Sequence, residues 1–346
     1  MMPSRYPRPA FPQWEKMTQS IDNPWFFVAF IAVVLVLLAM DLGVYHRRAH
    51  AVTVKEALCW SLVWVVLSVL FGTWIYIQFG SKNGLEFFAG YLIEYALSVD
   101  NIFVFILIFS YFAVPSILHH RVLFWGILGA LIMRAGFIFA GTALLHAFHW
   151  VMYIFGAFLV FTGIKLLLQK GETEVEPGHN PVVRLFQRLM PMSASYGDGS
   201  FFLKQAGKYV ATPLALVLIT VETTDLVFAL DSIPAIFGIT TDRFIVYTSN
   251  VCAILGLRSM YFLLAAVVDR FVYLGTGLGI VLSFIGVKML LSDLYPIGIE
   301  ASLLVVAVIL AGSVILSLVK PQKHQKPATG TSIPAQPLVR SDSEQD

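Results

Sequence analysis

The sequence predicts an all-α, polytopic membrane protein, and three observations make that prediction. The chain is 58% hydrophobic and 13% charged, with a mean hydropathy of +0.79, a balance unlike that of water-soluble domains. Its apolar residues fall in nine runs of roughly 19 to 28 residues, each long enough to cross a hydrocarbon core of about 30 Å. Carboxylates recur inside these runs, six residues apart, in two separate stretches.

The first span is read over 24–45. The residues before it, 1–23, hold four prolines in their first twenty positions and no apolar run of signal-peptide length. They are expected to form a disordered extension, with span one retained as a helix. Spans two and three are placed at 57–79 and 87–112, opened by Glu56 and Glu86, where a carboxylate meets the positive end of a helix dipole. Spans four and five, 122–145 and 147–169, carry His119, His120, His146 and His149 at their edges, with no metal-binding spacing. Residues 170–210 are polar and of mixed charge and are expected to be a solvated connector. Spans six to nine follow at 211–238, 244–268, 271–292 and 301–319. The polar, Pro-rich tail, 320–346, is expected to be disordered.

Lys and Arg set the orientation. Fourteen of the 23 basic residues fall on the face holding Arg47, Lys170 and Lys320, five fall on the other, and four lie within spans. The positive-inside rule therefore places the N-terminus outside and the C-terminus in the cytoplasm. Cys59 and Cys252 stand singly in apolar spans, and all eight histidines lie at span ends or in loops. A disulfide framework and a soft-metal site are both excluded, so an ion held in mid-membrane would meet oxygen ligands. Nothing in the charge pattern calls for nucleic acid, and no tightly bound cofactor is expected.

The acids repeat in register. An offset of 131 carries Glu94, Asp100, Asn101 and Ile102 onto Asp225, Asp231, Ser232 and Ile233. Arg134 matches Arg258 at an offset of 124, and the Gly163–Lys165 stretch matches Gly286–Lys288 at 123. Spans three to five (87–169) thus recur as spans six to eight (211–292), and an odd number of spans per copy inverts the second copy in the membrane. Inverted repeats of this kind build transporters that bind substrate near the midplane. On an ideal helix Glu94, Ser98 and Asn101 share one face while Asp100 points about 120° away. Pro234, beside Asp231, is expected to break its helix and free backbone carbonyls as further ligands.

Five carboxylates, Glu94, Asp100, Glu222, Asp225 and Asp231, face two central arginines, Arg134 and Arg258. Two ion pairs leave about three acids to be satisfied by a divalent cation in an oxygen shell, or by protons. Arg134 and Arg258 are expected to pair with acids. Asp41 is read as a further ligand or an interfacial residue, and Lys165 and Lys288 as snorkelling residues or gating ion pairs.

The segments GYLIEYALSVDNIFVFILIFSYFAVP (90–115), ATPLALVLITVETTDLVFALDSIPAIFGITTD (211–242) and AILGLRSMYFLLA (253–265) closely resemble the TerC family, nearest to its Alx-type bacterial members. The resemblance spans residues 24–319. It implies an inner-membrane protein of the lysine-exporter-like superfamily, associated with Mn(II) export, with the metal path carried by Glu94, Asp100, Asp225 and Asp231.

The reading that follows is a transporter rather than an enzyme, in which Mn(II) leaves the cytoplasm by alternating access and protons are the candidate counter-ion. Asp100 and Asp231 are the expected ligands, Glu94 and Asp225 ligands or proton carriers, and Asn101 and Ser232 neutral oxygens. Manganese is preferred to other hard cations only through the resemblance. A membrane-protein assembly factor and a metal sensor that does not transport are the alternatives. An intramembrane aspartyl protease fits poorly, because Val99 and Leu230 precede Asp100 and Asp231 where that class has tyrosine and glycine. Oligomeric state is not legible.

Overall fold

The computed structural model describes residues 23–45, 53–168, 180–193, 195–196, 199–205, 208–265, 273–295 and 297–319, without the side chains of 41–45 and Asp100. Apart from Asn23, the extensions expected to be disordered therefore lie outside the described residues. Among the described residues the protein is a bundle of helices: α1 Pro24–Tyr45, α2 Val54–Phe79, α3 Ser81–Tyr111, α4 Ser116–Ala147, α5 Val151–Leu168, α6 Pro181–Leu189, α7 Pro213–Phe237, α8 Arg243–Leu255, α9 Leu257–Ala265, α10 Leu274–Leu290 and α11 Ile299–Val319. One antiparallel pair, β1 Phe202–Gln205 and β2 Lys208–Ala211, joins them.

Six helices, α2 to α5, α7 and α11, are long and apolar enough to cross a membrane, and the α8–α9 pair makes a seventh if it counts as one bent span. Pro24–Met40 and Leu274–Leu290 are apolar but shorter. α3 and α4, with 31 and 32 residues, are about 46 to 48 Å long, so their ends project past the hydrocarbon.

Local signals explain most boundaries. Thr53 and Glu56 form a capping box at the start of α2: the Thr53 amide donates to Glu56 Oε2 at 2.9 Å and the Glu56 amide to Thr53 Oγ1 at 3.3 Å. Gly80, with φ of +93°, makes the tight turn into α3 that a side chain would strain. Asp242 caps α8 by accepting from the Ile245 amide at 3.0 Å.

Two sequence expectations about helix boundaries are corrected. α3 starts at Ser81, so Glu86 lies in its second turn, buried and 3.8 Å from Lys82, rather than at a helix start. α7 runs unbroken through Pro234 to Phe237. Only three helical residues follow the proline, so its missing hydrogen bond falls in the last turn, where a helix loses little. The break lies one helix later, at Gly256, where α8 and α9 meet at 41°.

The stretch read as a solvated connector is also folded where it is described. α6 buries Val183, Tyr196 donates to the Phe112 carbonyl at 2.6 Å at the end of α3, and Thr212 Oγ1 donates to the Ser200 carbonyl at 2.7 Å. This segment caps one end of the bundle.

The closest helix crossing joins α5 to α10, antiparallel and through glycines. A Cβ at Gly156 would stand 3.0 Å from the Gly286 carbonyl oxygen, and one at Gly279 the same 3.0 Å from that of Gly163. A Cβ at Gly286 would stand 2.6 Å from the Gly156 oxygen, and one at Gly163 the same 2.6 Å from that of Gly279. Small residues let membrane helices approach to backbone contact, where dispersion replaces the absent hydrophobic force. At the end of the bundle away from α6, Phe27, Phe30, Phe71 and Phe244 pack α1, α2 and α8 through tilted and edge-on ring contacts.

Candidate functional site

Arg134 lies fully buried near the middle of α4 and gathers the centre of the bundle. Its Nη1 pairs with Glu94 Oε1 of α3. Its Nη2 and Nε donate to Oδ1 and Oδ2 of Asp225 on α7 at 3.0 and 3.3 Å, a two-pronged grip that only a guanidinium can make. Ser232, two turns along α7, lies 3.5 Å from Nη1. Three helices are thus tied at one point by charges shielded from lipid and water. Charge placed in a bilayer interior is tolerated where it is paired in this way.

The pairing is incomplete. Ionised, two acids and one arginine carry a net charge of −1. Among the described residues, Glu94 Oε2 and the Ser98 hydroxyl one turn below it are buried without a hydrogen-bond partner. Asn101, on the same face, is buried as well. Glu222 lies within the field of Asp225, and its buried Oε2 also lacks a partner. The Glu222 carboxylate rests on Gly129 of α4, where a Cβ would come within 2.6 Å of Oε2. A narrow void beside Asp225, lined by Leu123, Gly126, Val221 and Leu257, extends from the cluster toward the end capped by α6 and the β-pair.

Other residues singled out in the sequence lie elsewhere. Asp231 is half-buried and turned to the Thr162 hydroxyl on α5, with Lys165 in its field. Lys165 itself is exposed beside Phe161, Ile164 and Leu168. Lys288 of α10 is half-buried and faces Glu86, in a group with Thr240 and Asp242 at the end away from α6. Arg258 is buried in the first turn of α9, next to the break. Asp100 and Asp41 sit in α3 and α1, and their side chains lie outside the described residues. Among the described residues no three His, Cys, Asp or Glu side chains converge closely enough to hold a metal ion. Gly129 was not singled out, nor was the grouping of Glu86 and Lys288 with Thr240 and Asp242. The match of Gly129 to Ala253 across the repeat was the available signal for the first, and the nearness of Lys82 to Glu86 for the second.

Multi-helix packing with paired acids and arginine buried at mid-depth defines an integral membrane protein with a polar core. The family model of the integral membrane protein TerC family matches residues 79–325, and the chain belongs to that family. It is 51% identical over 301 residues to the uncharacterized membrane protein STKORF319 of Myxococcus xanthus, covering 87% of this chain and 94% of that protein. It is 48% identical over 320 residues to Alx of Escherichia coli (strain K12), whose name assigns it provisionally to membrane-bound redox modulation, covering 90% and 99% of the two chains. A membrane protein of Rickettsia felis is 38% identical over 294 residues, 85% of this chain and 97% of that one. No solved structure matches.

Proposed function

We propose that the protein is a divalent-cation transporter of the bacterial inner membrane that exports Mn(II) from the cytoplasm, with its N-terminus outside and C-terminus inside. The observation that carries this reading is the buried Glu94–Arg134–Asp225 cluster, with Glu94 Oε2 left without a partner. Arg134 occupies a position between two carboxylates from different helices, as a bound cation would. A divalent cation entering through the void beside Asp225 would compete with the guanidinium for both carboxylates, and the carboxylate and hydroxyl oxygens of Glu94, Asp225, Ser98 and Ser232 suit a hard ion. Protons are the simplest counter-charge for acids left without a cation.

The helix contacts support an inverted repeat. Offset 123 relates Gly156 to Gly279 and Gly163 to Gly286, and the four α5–α10 distances fall into the two equal pairs that a twofold axis between these helices produces. Repeats so related can rock about a fixed central site. The redox role in the names of the Alx relatives finds no thiol couple here: Cys59 is exposed on α2 and Cys252 buried in α8.

The test is the metal content of manganese-loaded bacteria lacking their own exporters and expressing wild type, Glu94→Gln or Asp225→Asn at matched membrane levels. Wild type should lower cell manganese and both variants should not. Equal manganese in all three strains would reject export and favour an assembly or sensing role.

A further inference from the structure

The central cluster divides the bundle into two halves that the sequence repeat relates, and the halves are packed differently. In the half nearer α6, a void beside Asp225 is bordered by Gly126 and Val221, and a Cβ at Gly126 would stand 3.3 Å from Val221 Cγ1. The offset of 124 that carries Arg134 onto Arg258 carries Gly126 onto Asn250, and the offset of 131 that relates Glu94 to Asp225 relates Gly90 to Val221. Gly90 does face α8 at that level: a Cβ there would stand 2.7 Å from Ser249 Oγ and 3.6 Å from Ile236 Cγ2. Where one half sets Gly126 opposite Val221 beside the void, the other has Asn250, next to the Ser249 that packs on Gly90.

Asn250 is fully buried, and among the described residues neither its amide nitrogen nor its carbonyl oxygen has a hydrogen-bond partner. A buried carboxamide without partners is destabilising, and an apolar side chain of similar shape would avoid the penalty. The two polar residues buried just before it on α8 are satisfied within the helix, Thr248 Oγ1 donating to the Phe244 carbonyl at 2.7 Å and Ser249 Oγ to that of Val246 at 3.2 Å, whereas the Asn250 carboxamide is not. A polar group that one packing leaves unsatisfied is explained when a second packing gives it a partner.

We propose that Asn250 lines the outward half of the translocation path and offers its carboxamide oxygen to a hard divalent cation when that half opens. The inference rests on the alternating-access reading above. Rocking one repeat against the other would part α3 from α8 at Gly90 and open the counterpart of the void, with Glu94 in the place of Asp225 and Asn250 in the place of Gly126. A neutral oxygen suits an exit ligand, because it coordinates a hard cation without the charge that would retain it.

The test places a single cysteine at this position, Asn250→Cys, in full-length protein carrying Cys59→Ser and Cys252→Ala, in intact cells treated externally with a membrane-impermeant cationic thiosulfonate. Lys82→Cys, at an exposed site, is the positive control. Asn250→Cys should be labelled and Mn(II) should slow that labelling, while Lys82→Cys should be indifferent to the metal. No labelling at 250 beside a labelled control overturns the proposal, as does labelling that Mn(II) leaves unchanged in cells where wild type lowers manganese. Labelling unaffected by Mn(II) in cells where wild type also fails to lower manganese counts instead against the proposed function. Asn250→Ala is the second variant: export should fall about tenfold or more while the melting temperature in detergent holds or rises. Full export by Asn250→Ala would reduce the residue to a packing element and overturn the proposal.

Discussion

Replacing Arg134 by glutamine isolates what the buried cluster contributes to the fold. The guanidinium is fully buried and makes two hydrogen bonds to Asp225 at 3.0 and 3.3 Å besides its pairing with Glu94. Unit charges 4 Å apart attract by about 4 kcal/mol at an effective dielectric of about 20. Desolvating three ionised groups offsets much of that attraction, so the assembled cluster adds little net stability. Removing one partner is different: the desolvation penalty remains and the attraction does not, a loss of about 3–5 kcal/mol. Glutamine keeps two donors but no charge, and leaves the acids of α3 and α7 facing each other. Arg134→Gln should therefore unfold about 3–5 kcal/mol more easily than wild type, measured by denaturant titration of purified protein in lipid–detergent bicelles. Adding Glu94→Gln should restore part of the loss, with a coupling of about 0.5–3 kcal/mol. An Arg134→Gln protein within about 0.5 kcal/mol of wild type, with a double variant that shows only additive loss, would refute the view that the cluster ties α3, α4 and α7 together.

Three further outcomes follow from the geometry. Gly286→Leu places a side chain where a Cβ already stands 2.6 Å from the Gly156 oxygen; it should abolish a monodisperse gel-filtration peak, while Gly275→Leu, with nothing within 4 Å of its Cβ, should not. Gly129→Ala pushes against the Glu222 carboxylate and should lower manganese export in cells with little change in melting temperature, unlike Gly136→Ala, which meets open space. Thr53→Ala removes the α2 capping box and should reduce unfolding free energy by about 1 kcal/mol with export intact.

The sequence carried the membrane class, the family and the helices at the core because those signals are local. An apolar run must be helical in lipid, where no water satisfies the backbone, so the span read at 24–45 coincides with α1 and that at 211–238 lies within two residues of α7. Glu56, read as a carboxylate at a helix start, does stand in the first turn of α2, where it also closes a capping box with Thr53 that a helix dipole alone does not imply. What failed depended on tertiary context. Pro234 reads as a break anywhere in a long helix, yet its effect depends on how many helical residues follow. Gly256 carries no signal that separates it from the glycines packed inside α5 and α10, and the bend there appears only when α8 and α9 are placed in the bundle. Glu86 resembled a cap because the start of α3 was set six residues too late. The acids showed that a polar core existed, but not that one arginine would take Glu94 and Asp225 together while Asp231 turned to α5. Spacing along a helix gives a direction, and the partner at the end of that direction is fixed by packing.

The most direct measurement of the central claim is the initial rate of Mn(II) entry into proteoliposomes containing purified protein, followed with a trapped metal-sensitive dye. Wild type should give a saturable flux above protein-free liposomes, and Glu94→Gln and Asp225→Asn, reconstituted in equal amount and still folded, should each reduce it about tenfold or more. Variant rates equal to wild type, or a wild-type rate no greater than that of bare lipid, would contradict the account.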